Sequence, residues 1–154
     1  MGIFEFIEPE PDLEKMEYLH EIMWLLHYFD YSLDLLSGDW AKSLCWNVGV
    51  LLGKKKEKED KIEKCDDIYC AVKNLDPWKV DVFKKISEKE YLVVFKECPI
   101  RQVHYSVCSD QGTSLCQVTH GYFTQILSSS LGKKVKLELL HPGPNACIKR
   151  VVIE

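Results

Sequence analysis

The feature that most constrains the fold of this chain is a change of hydrophobic period near Pro77. Upstream, apolar residues recur at intervals of three and four; downstream, they alternate. Residues 12–38 carry Met16, Leu19, Ile22, Met23, Leu26, Phe29, Leu33 and Leu36 at helical spacing, with Asp12 as N-cap and Gly38 as stop. Trp24, Leu25 and Tyr28 widen this stripe beyond what one neighbour covers, so a homodimer through this helix is expected. His20 and His27 on the same helix are read as structural. A second helix is expected over 39–52, with Trp40, Leu44, Val48, Leu51 and Leu52 inward and Gly53 as its end. The mixed-charge run 54–61 reads as a solvated turn or helix end. A third helix over 61–73 would place Ile62, Cys65, Ile68 and Val72 inward. Cys65 and Cys70 would point about 140° apart on it, and both are read, with Cys45, as buried free thiols.

Beyond Pro77, 78–84 and 91–95 are rich in β-branched and aromatic residues and flank the polar turn Ser87-Glu88-Lys89-Glu90, which predicts a hairpin. Residues 99–107 fit helix or irregular structure equally. A helix follows over 115–131, with Leu115, Val118, Tyr122, Phe123, Ile126 and Leu127 on its buried side and Gly132 as a left-handed cap. A last hairpin runs from 134–140 through the turn Pro142-Gly143-Pro144-Asn145 to a strand carrying Cys147, Ile148 and Val152. The expected fold is α+β, with N-terminal helices packed on an antiparallel sheet. At 154 residues and 46% apolar content, one domain is expected. Its first half (1–76) is mainly helical, and 77–154 holds the sheet, a helix and most of the cysteines.

A net charge of -4 without a concentrated basic face argues against direct nucleic-acid binding. No apolar run approaches the roughly 18 residues that span a bilayer, and the N-terminus begins acidic, so a cytoplasmic protein with no membrane partner is expected. Seven cysteines in a reducing cytosol are best explained as metal ligands plus buried thiols.

Four of those cysteines lie in 98–153. Cys98 ends a strand, Cys116 opens a helix, and Cys147 flanks the same turn as His141. Three thiolates and an imidazole form a complete tetrahedral set for zinc, and soft sulfur also suits an iron–sulfur cluster. The gaps are too wide for a C-x-x-C knuckle, so on spacing alone buried thiols and an exposed turn histidine are the stronger account. Cys108 and Glu97 are alternatives for the fourth ligand, and His104 and His120 are spare imidazoles.

These positions carry a resemblance. Cys98-Pro99 after a strand, Cys116 followed by Gly121, Leu131-Gly132, Glu138 in the next strand, and Gly143 four residues before Cys147 together resemble the 4-vinyl reductase domain family. The resemblance covers 98–153, about a third of the chain. It implies a fold similar to the ligand-binding domains of nitric-oxide sensors and Golgi transport-particle subunits, and binding of hydrocarbon-like or aromatic small molecules. It also implies a zinc site in which Cys116 and Cys147 match ligand cysteines. Where the family has a further cysteine this chain has Leu139, with His141 as the nearest substitute.

No nucleophile–base pairing, phosphate loop or dinucleotide fingerprint is present, so catalysis is not the expected activity. The expected function is a sensor or carrier domain for a hydrophobic ligand, with a structural metal site and a pocket drawn from Trp24, Tyr28, Trp46, Phe95, Tyr122 and Phe123. The alternatives are a reductase or accessory protein acting on a tetrapyrrole vinyl group, and a non-catalytic assembly subunit.

Overall fold

The computed structural model describes residues 13–37, 39–75, 78–96, 98, 100, 114–142 and 146–154. Their order is α1 (Leu13–Ser37), α2 (Asp39–Glu59), α3 (Ile68–Ala71) running into a 3-10 turn (Val72–Leu75), β1 (Val80–Lys85), β2 (Glu90–Phe95), α4 (Cys116–Leu131), β3 (Val135–His141) and β4 (Cys147–Ile153). The fold class is α+β, with helices packed on a four-stranded antiparallel sheet. The sheet order is β1-β2-β4-β3, so the last strand lies between the two hairpin arms that precede it. Expectations at 99, 101–113 and 143–145, including Cys108, His104 and the turn Gly143-Pro144-Asn145, lie outside the described residues, as does Glu97.

Alternation explains the sheet. Tyr91, Val93 and Phe95 of β2 and Val151 and Ile153 of β4 turn to one face, where they meet Phe123, Ile126 and Leu127 of α4. The inward column of β4 is therefore Cys147, Lys149, Val151 and Ile153. Gly132 ends α4 at φ 61, a conformation that costs a Cβ-bearing residue about 1 kcal/mol or more.

Three expectations for the helices are corrected. First, α2 does not stop at Gly53 but runs to Glu59, supported at its end by Lys55–Glu59 and Lys56–Asp60 pairs. Second, its buried face is the small-residue stripe Ala41, Cys45, Gly49 and Gly53, whereas Trp40, Leu44, Val48, Leu51 and Leu52 are exposed. The reason is the approach of α4: a Cβ on Gly49 would lie 1.9 Å from the Val118 carbonyl oxygen, and one on Gly121 would lie 2.0 Å from that of Trp46. Only glycine permits two helices to touch backbone to backbone in this way.

The third correction concerns 61–67, which is irregular rather than helical. Glu63 N–H donates to Asn74 Oδ1 at 3.1 Å, Asn74 Nδ2 donates to the Glu63 carbonyl at 2.8 Å and to Ser130 Oγ at 2.7 Å, and Cys65 N–H donates to the Ser130 carbonyl at 2.9 Å. This path brings Cys65 within 5.6 Å of Cys70, Cα to Cα, and the two form a disulfide rather than free thiols. A five-residue helical separation would instead rise about 7.5 Å. The bond removes those two cysteines from the argument that placed the chain in a reducing cytosol.

The helix α1 is where the sequence suggested, from Leu13 to Ser37, yet Leu19, Leu25, Tyr28, Phe29, Tyr31 and Leu35 along it are exposed. Asp30 is its anchor. That carboxylate, 1% exposed, accepts the Leu115 N–H at 2.7 Å beside the start of α4. Among the described residues no helix is long and apolar enough to cross a membrane.

Candidate functional site

Three hollows lie along α4: one on its sheet side, one against α2 beside Trp78, and one between Trp46, α4 and β3. The first lies between α4 and the ends of β2, β3 and β4. It has room for little more than one water, about 20 Å³, and is lined by Cys98, Cys116 and Cys147 together with His120, Lys149, Leu139, Phe95 and Phe123. The three sulfurs expected to converge thus come from three separate elements to one cavity. Cys98 is buried, Cys116 and Cys147 are half-buried, and none of the three is in a disulfide.

Lys149 is the residue that sequence reasoning missed. It sits mid-strand in β4, opposite Val93 on one side and Leu139 on the other, and is 2% exposed. Its Nζ lies 4.7 Å from the centre of the Phe95 ring and 4.9 Å from that of Phe123. Burial pushes its pKa down, and the nearby Cys147, Cys98 and Cys116 push it back up. A desolvated cation over an aromatic face gains about 2 kcal/mol, whereas burying an ammonium costs several. The rings alone do not balance that cost, so the polarizable sulfurs are part of what makes the position tenable.

His120 is the imidazole of this cavity. It projects from α4, is buried, and its Nε2 has no hydrogen-bond partner among the described residues. Burial, reinforced by the Lys149 charge, holds its pKa down at about 3. His141, the expected fourth ligand, is exposed at the end of β3. A register shift between Leu139 and His141 interrupts the alternation that would have turned it inward.

The donor set was tested against a zinc ion. Three thiols facing one cavity suit a soft metal in type, but Leu139 supplies an apolar wall where a fourth donor is needed, and Lys149 brings an amine into the same space. Among the described residues no three His, Cys, Asp or Glu side chains are disposed to hold a metal ion. Among the described residues alone, the donor set of a closed zinc or iron–sulfur site is not assembled.

The second hollow is a groove of about 470 Å³ between α2, α4 and the start of β1. Leu52, Trp78, Ile100, Val118 and Tyr122 give it apolar lining, and Lys55, Lys56, Glu59, Asp60 and Thr119 line it as well. Of the six aromatic residues expected to form one pocket, Tyr122 lies here. Phe95 and Phe123 stack at 4.4 Å inside the core beside the thiols. Trp46 lines the third hollow, of about 410 Å³, with Gln117, His120 and Leu137, and Trp24 and Tyr28 stack on each other along α1 at 5.6 Å. The missed lining residues are Trp78 and Val118, and the signal was their position at the edge of the sheet and on the α2-facing side of α4.

No family model matches the chain, and no curated protein matches it in sequence.

Proposed function

We propose that the chain is a small-molecule-binding domain of the 4-vinyl-reductase type, a sensor or carrier that takes an apolar or aromatic ligand in the groove between α2 and α4. The observation that carries this reading is the groove itself. Its volume of about 470 Å³ falls within the range of small-ligand sites, and Leu52, Trp78, Ile100, Val118 and Tyr122 make much of its lining apolar. Beside it the helices stay in close contact along Gly49, Gly53 and Gly121, so the backbone that borders the groove is tightly held. A neutral hydrophobic dye is expected to bind one-to-one, with Leu52→Glu weakening it at least about tenfold, because a charged side chain would replace part of the apolar lining. Phe83→Glu on the exposed edge strand serves as control. Equal binding to both variants would sink the reading.

A second reading has its own observation. Leu19, Leu25, Tyr28, Phe29, Tyr31 and Leu35 of α1 and Trp40, Leu51 and Leu52 of α2 are exposed large apolar side chains. Pairing of two copies through α1 would cover those of α1, in line with the expected homodimer or with an assembly subunit. Light scattering is expected to give twice the monomer mass, and Leu25→Glu with Leu35→Glu to give the monomer. A monomer at all concentrations removes the homodimer.

A further inference from the structure

We propose that the hollow between Trp46, α4 and the start of β3 is a second binding site, and that it takes a flat aromatic acid, with the ring against Trp46 and the carboxylate toward Lys134 and Lys136. This site is separate from the groove between α2 and α4 and stands whatever binds there.

The helix itself keeps the two apart. At about 100° per residue, Gln117, His120, Thr124 and Ser128 form one stripe of α4, roughly opposite Val118 and Tyr122, which line the groove. The hollow on that stripe holds about 410 Å³, within the range of small-ligand sites and close to the groove in size. Its chemistry is different. The groove has two acids among its charges, Glu59 and Asp60. The hollow has a polar side chain at every position of the α4 stripe, no acid among the described residues that line it, and two lysines, Lys134 and Lys136.

Charge decides the sign of the ligand. Both ammonium groups pair with the Glu154 carboxylate, Lys134 at 3.1 Å, so two cations share one anion. His120 stays neutral, because burial and the Lys149 charge hold its pKa down at about 3, and Lys149 itself stands on the far side of that imidazole. The lining is therefore net positive and attracts an anion. Lys134 and Lys136 are well exposed, so the attraction is partly screened by salt.

Shape decides the rest. Trp46 lines the hollow, and its backbone is held by the helix crossing, where a Cβ on Gly121 would lie 2.0 Å from the Trp46 carbonyl oxygen. An aromatic platform on a fixed backbone suits a flat ring. Ser128 Oγ accepts the Val135 N–H at 3.2 Å, which ties the α4 stripe to β3 and leaves the hydroxyl proton for a second bond. His120, 6% exposed, is the wall that the hollow shares with the thiol cavity, and its Nε2 has no hydrogen-bond partner among the described residues. A polar group buried without a partner is costly, so a ligand able to hydrogen-bond at that wall is favoured over a plain hydrocarbon.

Calorimetric titration of the disulfide-intact chain with 2-naphthoate and with its neutral analogue 2-naphthamide tests this. The acid is expected to bind one-to-one, at least about fivefold more tightly than the amide, and more weakly as salt is raised. Lys134→Gln with Lys136→Gln is expected to bring the acid down to the affinity of the amide. Trp46→Ala is expected to weaken the acid at least about tenfold. Leu52→Glu, which disables the groove, is expected to leave binding of the acid as it was, so that a failure of the groove and a failure of this site are told apart. The proposal is overturned if 2-naphthoate does not bind one-to-one, if acid and amide bind equally, or if the double lysine variant keeps the preference. It is equally overturned if Leu52→Glu rather than Trp46→Ala removes the acid. Because Lys134 and Lys136 are exposed, their double variant is expected to fold, and it decides the matter should Trp46→Ala not fold.

Discussion

Where α4 meets α2, backbone lies on backbone, with Gly49 against Val118 and Gly121 against Trp46. Where the same helix meets the sheet, side chains fill the space, and among Phe95, Phe123 and Val151 stand a lysine, a histidine and three thiols. The first contact is tight along Gly49, Gly53 and Gly121, with a groove beside it. The second is closed nearly everywhere and keeps its polar groups dry. The difference teaches that apolar content does not mark the core of this molecule. The large apolar residues of α2 face outward, and a charged residue of β4 faces inward.

The largest expected effect would break the α2 side. Gly121→Ala places a methyl group 2.0 Å from the Trp46 carbonyl oxygen, and the obstacle is backbone that cannot rotate away. The helices must separate, and a loss of about 3 kcal/mol or more is expected in urea unfolding. Gly132→Ala supplies the contrast, because a Cβ there meets nothing within 4 Å and only the positive φ is strained. It should cost about 1 kcal/mol. If the two variants lose the same stability, the crossing is looser than backbone contact requires.

How much of this was legible in the sequence follows the same division. The strands, α4 and its Gly132 cap were readable because period-two alternation and cap chemistry are local signals. The face of α2 was not, because counting large apolar residues pointed to Trp40, Leu44 and Leu51. The informative signal was the recurrence of small residues at Ala41, Cys45, Gly49 and Gly53. The convergence of Cys98, Cys116 and Cys147 was legible from their placement at the ends of elements. Lys149 was in principle visible as the one charge interrupting the inward series Cys147, Val151, Ile153, and was passed over because a charge is rarely placed inward. The Cys65–Cys70 bond depends on a loop held by Asn74 and Ser130, a long-range arrangement that no local pattern announces.

A smaller effect would sharpen the sheet side, where the dry polar groups should show themselves in acid. Burial and the neighbouring Lys149 lower the His120 pKa from 6.5 to about 3, so the unfolded chain takes up a proton that the folded chain refuses. The resulting stability is fully present above pH 6.5 and declines as pH falls through the window toward 3, with a loss of roughly 2 kcal/mol by about pH 5. Lys149 and the three cysteines share the cavity, so the wild-type curve alone does not isolate the imidazole. The difference between wild type and His120→Leu does. The substitution removes an imidazole whose Nε2 is unpartnered among the described residues and fills its place with apolar volume, and should leave stability between pH 5 and 7 nearly flat relative to wild type. Parallel urea midpoints for the two proteins across that range would mean that the imidazole reaches water, and that the sheet side of α4 is as open as the groove on its other side.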